Sequence, residues 1–253
     1  MVTSLTNEKN GELPPIFGER SMTATHENYC LRPDEMFNGM HLKDIATSSA
    51  NVLYGLPNVY YTGNHIAFLH SNLDISVKSI VTYSNPDSRV LEISKGSAVL
   101  IPVFTAQYHI GSYFKGSKIV SEVGARHAVR EHISEGREMW AVSVSGTKSQ
   151  RKFKPLVGDI RNYYLETNLF RLTVSEKNLF KDTLEIPIQP GNYYAVLGGY
   201  FILFRPLAPG SYGIWFGANG PGGQQSEGFY EIMVHNRESP YPKDLSFEKG
   251  GKK

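Results

Sequence analysis

From Pro57 onward the chain is broken every several residues by Gly, Pro or Asn, and the runs between these breaks are rich in β-branched and aromatic residues. A chain punctuated in this way cannot sustain many long helices, so its apolar residues must be buried between sheets. Residues 75–83 alternate in polarity and lead through Asn85-Pro86-Asp87 into a run at 89–93, after which Lys95-Gly96 turns the chain again. Residues 98–104 are apolar throughout, which predicts a strand covered on both faces. Pro102 within it lacks an N–H and demands an edge or a bulge. Further strands are expected over 139–145, 169–174, 194–204, 212–216 and 229–235, with turns at Ser145-Gly146, Pro190-Gly191, Pro209-Gly210 and 217–223. No repeat period is visible, which disfavours propellers and solenoids.

Two features break the strand pattern. Pro33-Asp34-Glu35 ahead of Met36, Phe37 and Met40 predicts a short helix. A second follows over 41–54, where Leu42, Ile45, Ser49, Val52 and Leu53 fall near one face before Gly55 and Pro57 end it. An inserted helix is expected within 117–138, with Ile119, Val123, Ala128, Val129 and Ile133 as its apolar stripe over one end or face of the sheets. The fold class is therefore all-β: a single β-sandwich or jelly-roll-like domain over 31–236, with N-terminal helices and one inserted helix. Residues 1–30 read as a polar, poorly ordered leader and 237–253 as a flexible tail.

Charge and cysteine usage exclude several classes of function. With 26 Lys+Arg against 24 Asp+Glu the net charge is +2, so no nucleic-acid or other polyanion partner is expected. A lone Cys30 excludes a disulfide framework and a cysteine zinc site within one chain. No apolar run approaches the about 18 residues of a membrane span, and no signal-peptide core is visible, so a cytoplasmic location is expected. Gly-x-Ser-x-Gly, the phosphate-binding Gly-x-x-x-x-Gly-Lys-Ser/Thr, His-Glu-x-x-His and Gly-x-Gly-x-x-Gly are all missing from the sequence.

Two sets of candidate site residues remain. On the inserted helix His127 and Glu131 are four apart and share a face, His132 lies beside them, and His109 follows the apolar strand. His109, His127 and Glu131 could act as an acid–base set, and with His132 they could hold a divalent metal. The plainer reading is a solvated helix face on which Arg126, Arg130 and Glu135 meet water. His65, His70 and Asp74 form a weaker group, because His65 and His70 point to opposite faces of a strand. The second set is aromatic. Tyr61, Tyr164, Tyr194 and Trp215 belong to adjacent aromatic pairs, and their outward members, with Tyr108, could stack on sugar rings or meet a protein.

The C-terminal half carries a recognisable series of segments. Gly146, Arg161-Asn162-Tyr163-Tyr164, Gly198-Gly199-Tyr200-Phe201, Arg205-Pro206-Leu207-Ala208-Pro209-Gly210 and Ile214-Trp215-Phe216-Gly217 occur in this order. Over residues 90–235 the chain resembles an uncharacterised, mostly exported archaeal and bacterial β-sandwich family with a Gly-Tyr-Trp strand and a Pro-Leu-Pro-Pro-Gly turn. The resemblance implies the sandwich and carries no activity with it. In the shared turn Pro206 ends one strand, Pro209 fixes φ, and Gly210 accepts a positive φ, which predicts a hairpin. The function expected is that of a ligand- or partner-binding sandwich, with a carbohydrate or surface polymer favoured and a protein partner also open. An enzyme with a His/Glu metal or acid–base site at the sandwich end, and a structural assembly component, are the alternatives.

Overall fold

The computed structural model describes residues 30–55, 61–62, 66–69, 72–75, 79–80, 90–145, 150–176, 189–220 and 225–236. The first half comprises β1 (Cys30–Leu31), β2 (Met36–Phe37), β3 (Met40–His41), α1 (Leu42–Gly55), β4 (Tyr61–Thr62), β5 (Ile66–Phe68), β6 (Asn72–Ile75), β7 (Ser79–Ile80), β8 (Val90–Ser94) and β9 (Ala98–His109). There follow β10 (Tyr113–Phe114), β11 (Ser117–Lys118), α2 (Glu122–Ser134), β12 (Arg137–Ser145), β13 (Lys152–Pro155), a 3₁₀ turn (Ile160–Tyr163), β14 (Tyr164–Glu166), β15 (Phe170–Val174), β16 (Gly191–Phe204), β17 (Gly210–Asn219) and β18 (Gln225–His235).

Two seven-stranded sheets carry the fold. In the first, β16 is the spine: β9 runs antiparallel along one edge, and β15, β14 and β1 follow one another along the other. Beyond β9 lie β5, parallel to it, and β4. The second sheet runs β13-β12-β17-β18, and β18 pairs on its far side with β6 and, in parallel, with β8. Between the sheets Val99, Ile101, Ile202 and Phe204 meet Ile214, Phe216, Tyr230 and Ile232. Side chains of this size contribute about 1.5–3 kcal/mol each when fully buried, so this layer dominates the stability.

The expected bulge sits beside Pro102. Phe201 pairs with Pro102 and Tyr200 with Phe104, leaving Val103 as the extra residue. The bulge resets the alternation of β9, so Phe104, Ala106 and Tyr108 face the same side as Val99 and Ile101. There they receive α2, whose Ala125, Ala128, Val129 and Ile133 plug one end of the sandwich against Phe104, Val196 and Ala218. Helix α1 covers the opposite face of the first sheet, where Leu42, Ile45 and Ala46 lie on Leu197, Phe201 and Leu203.

Several expectations are corrected. Residues 33–41 form the β2–β3 hairpin and not a helix, because Asn38 (φ 49°) and Gly39 (φ 76°) both enter the left-handed region that a two-residue Asn-Gly turn requires. The inserted helix is shorter than 117–138: Ser121 caps it by accepting from the Gly124 N–H at 3.2 Å, and Ser117–Lys118 belong to the β10–β11 hairpin. Val123 is 77% exposed and does not join its apolar stripe. Gly217, Ala218 and Asn219 lie within β17, whose ladder with β18 runs to Asn219 and Gln225. The hairpin expected at Pro209-Gly210 does not form: β16 belongs to the first sheet and β17 to the second, so this segment, with Gly210 at φ 151° and the Tyr212 hydroxyl donating to the Ala208 carbonyl at 2.7 Å, carries the chain from one sheet to the other. The leader through residue 29, the tail from 237, the turns at Asn85-Pro86-Asp87 and Gly146, and Pro221 to Gly223 lie outside the described residues. No helix among the described residues is long and apolar enough to cross a membrane.

Candidate functional site

The outward face of the second sheet collects aromatic rings. Register places Trp215 opposite Val142 on β12 and Phe229 on β18, and strand alternation turns this set away from the Phe216 core. Trp140 and Phe153 flank Trp215 with ring centroids 5.6 and 5.9 Å away and interplanar angles of 58° and 60°. Trp215 Nε1 donates to Glu227 Oε2 at 3.1 Å, which fixes the indole and leaves a carboxylate at its rim. Gly217 makes the arrangement possible: a Cβ there would lie 2.6 Å from Trp140 Cζ2 and 2.4 Å from the Ser226 carbonyl oxygen. Phe153 is 47% exposed, while Trp140 and Trp215 are half-buried.

Tyr164 stands in a different place, on an open cleft of about 520 Å³ between the start of α1, α2 and β14. Thr167 continues the β14 pairing, since its N–H donates to the Leu197 carbonyl at 2.9 Å and its Oγ1 accepts from the Leu197 N–H at 3.1 Å. That anchoring sets Glu166, whose side chain is 10% exposed, at the cleft. Arg126 reaches Glu166 and donates to the Thr167 carbonyl at 3.0 Å. Its Nε and Nη2 donate to Glu122 at 2.9 and 2.6 Å. Arg130 grips both Glu166 oxygens at 2.8 and 3.1 Å, and the Tyr164 hydroxyl donates to Glu166 at 3.2 Å. Burial pulls the Glu166 carboxyl upward, but the bonds from Arg130 and Arg126 outweigh it and hold it below the usual range. Burial, then Glu166, pushes the Tyr164 hydroxyl up to about 12. The solvated helix face expected for Arg126 is corrected here, since Arg126 faces protein carboxylates and is 24% exposed.

The histidines do not assemble. His127 Nε2 lies 3.1 Å from Glu131, whose other oxygen accepts from Lys115 at 2.6 Å. His132 Nδ1 is 2.9 Å from the Tyr108 hydroxyl, inward against Phe104, so Tyr108 is a packed partner of α2. Burial, then Glu135, pushes the Tyr108 hydroxyl up to about 12. Burial lowers His132 and, separately, His109. His109 follows Tyr108 on β9, faces the opposite side of the sheet and lies tilted against Tyr193, with ring centroids 4.6 Å apart. Among the described residues no three His, Cys, Asp or Glu side chains could hold one metal ion. Tyr194 is 60% exposed away from the Trp215 rings, on β16. The side chain of Tyr61, and the His65, His70 and Asp74 group, lie outside the described side chains.

Of the aromatic candidates whose side chains are described, only Trp215 sits in a ring cluster on an outer face. Its neighbours Trp140 and Phe153 escape a reading of the sequence because a register shift between Arg137 and Trp140 hides the parity of β12, and β13 is a four-residue strand with two lysines and a proline. Fold and surface thus describe an all-β sandwich with an aromatic outer face and a separate basic cleft. No protein-family model, curated protein or solved structure matches the chain.

Proposed function

We propose that this is a binding protein that takes a glycan or surface-polymer chain on the Trp140–Trp215–Phe153 face. The observation that carries the reading is a fixed indole with a second aromatic ring on each side and a carboxylate at its edge. Sugar rings present C–H faces that pack on aromatic rings and hydroxyls that donate to carboxylates, which this face supplies together. The test is retention of the full chain on insoluble cellulose, chitin and xylan, with affinity electrophoresis for soluble glycans. Retention on one of them is expected, weakened about fivefold by W215A, since one ring contact is worth roughly 1 kcal/mol. F153A, on the exposed strand β13, should weaken it without altering the thermal midpoint. No retention on any polymer, or retention unchanged in both variants, overturns the reading. A changed elution volume in W215A with no glycan retention would assign the face to protein association instead.

A further inference from the structure

We propose that the cleft at the start of α1, α2 and β14 is a binding site for a singly charged anionic group, a carboxylate or sulfate ester, held by Arg130 and Lys43. Arg126 is committed to Glu122, Glu166 and the Thr167 carbonyl, and so is satisfied within the protein. Arg130 donates from Nε and Nη2 to Glu166 and also meets the Tyr164 hydroxyl, which fixes the plane of its guanidinium, while its side chain stays 64% exposed. Lys43, from a different element, lines the same cleft, and its ammonium makes no ion pair among the described residues. Asn168 and the Tyr164 ring add neutral polar and apolar contacts at the wall.

Charge decides the class of ligand. Three cations, Lys43, Arg126 and Arg130, stand against two carboxylates, Glu122 and Glu166, leaving one positive charge in and around the cleft. A monoanion closes that balance, whereas a polyphosphate would overshoot it and meet Glu166. The geometry fits as well: a guanidinium clamped along its Nε edge presents its terminal nitrogens in a fixed fork that suits two oxygens of one group. A cleft of about 520 Å³ accommodates a sugar-sized molecule carrying that group. The site lies on α1, α2 and the first sheet, so it does not depend on the glycan reading of the second sheet.

The experiment is calorimetric and NMR titration of the full chain at low salt with glucuronate, methyl sulfate and, as the neutral control, glucose. Glucuronate or methyl sulfate should bind and perturb the Arg130 side-chain resonance. Glucose should not, and raising the salt should weaken the interaction. K43Q, at an exposed position that leaves the Arg130–Glu166 contact intact, should weaken binding about tenfold, the loss of one charge-assisted bond. R130Q should abolish it. Polygalacturonate added in place of the monomer separates an anionic residue of a polymer from a free small anion, and binding of either supports the site. Failure of every anion at low salt, binding of glucose equal to glucuronate, or K43Q and R130Q both without effect overturns it.

Discussion

Trp140 lies against the Cα of Gly217, and the second sheet has no slack at that point. The nearest atoms to an added Cβ include the backbone of Ser226 and Glu227, which cannot swing aside as a flexible side chain could. G217A should therefore cost about 1–3 kcal/mol and shift the tryptophan emission as the indole is lifted, measured by urea denaturation followed by fluorescence. An unchanged midpoint would show that the two strands can part at no cost. Gly210 is constrained differently, by a φ of 151° where the chain enters β17 from the first sheet. G210V should lose about 1 kcal/mol or more in the same assay, and a variant as stable as the parent would remove the conformational argument.

At the level of elements, what could be read from residue order depended on how local the deciding interaction was. β9 with its bulge, β16, β17 and α1 follow from short-range patterns: apolar alternation, Pro102, and Leu42, Ile45 and Ser49 on one buried helix face. The β2–β3 hairpin was obscured because Pro33-Asp34-Glu35 is a fair helix start, yet Asn38-Gly39 three residues later closes a turn that is tighter and more local. The sites were harder still. Glu166 meets Arg126 and Arg130 across 36 to 40 residues of chain, and Phe153 meets Trp215 only through the β13-β12-β17 register, which no local periodicity reports. The β10–β11 hairpin is held to α2 by Lys115 bridging Glu131 and Glu135. K115Q should raise amide exchange at Ile119 and Gly111, which pair within that hairpin, and leave the core strands unchanged. Equal exchange in parent and variant would show that the backbone bonds alone hold it.

Across the whole molecule, burial sets the response to acid. His132 faces Tyr108, Phe104, Glu135 and Lys115, His109 faces Tyr193, and burial lowers both below the ordinary 6.5. A histidine lowered in the folded state binds its proton first in the unfolded chain, so stability is full above about pH 6.5 and declines as pH falls below it. Glu131, Asp159 and Glu166 are held below 4.5 or 3.8 by Lys115, Arg161 and the two arginines. Their contribution is lost in a second, more acidic window. Urea midpoints between about pH 8 and pH 3 should therefore fall in two stages, and H132Q should flatten the first; a flat profile from pH 7 to 5 would refute the histidine stage.

Strand β18 zips along β17 on one edge and, on the other, takes in β6 and β8 from a much earlier part of the chain, with Gln225 opposite Asp74 and Glu231 opposite Val90. On the ribosome, then, β6 and β8 emerge long before the strand that receives them. Synthesis proceeds for most of its duration with those edges waiting, and the second sheet closes only after residue 235 has cleared the exit tunnel. A chain halted before Gln225 does not yield a smaller version of this molecule. It yields the first sheet beside only β13, β12 and β17, with β6 and β8 left without the strand that joins them, a ready substrate for chaperones and proteases.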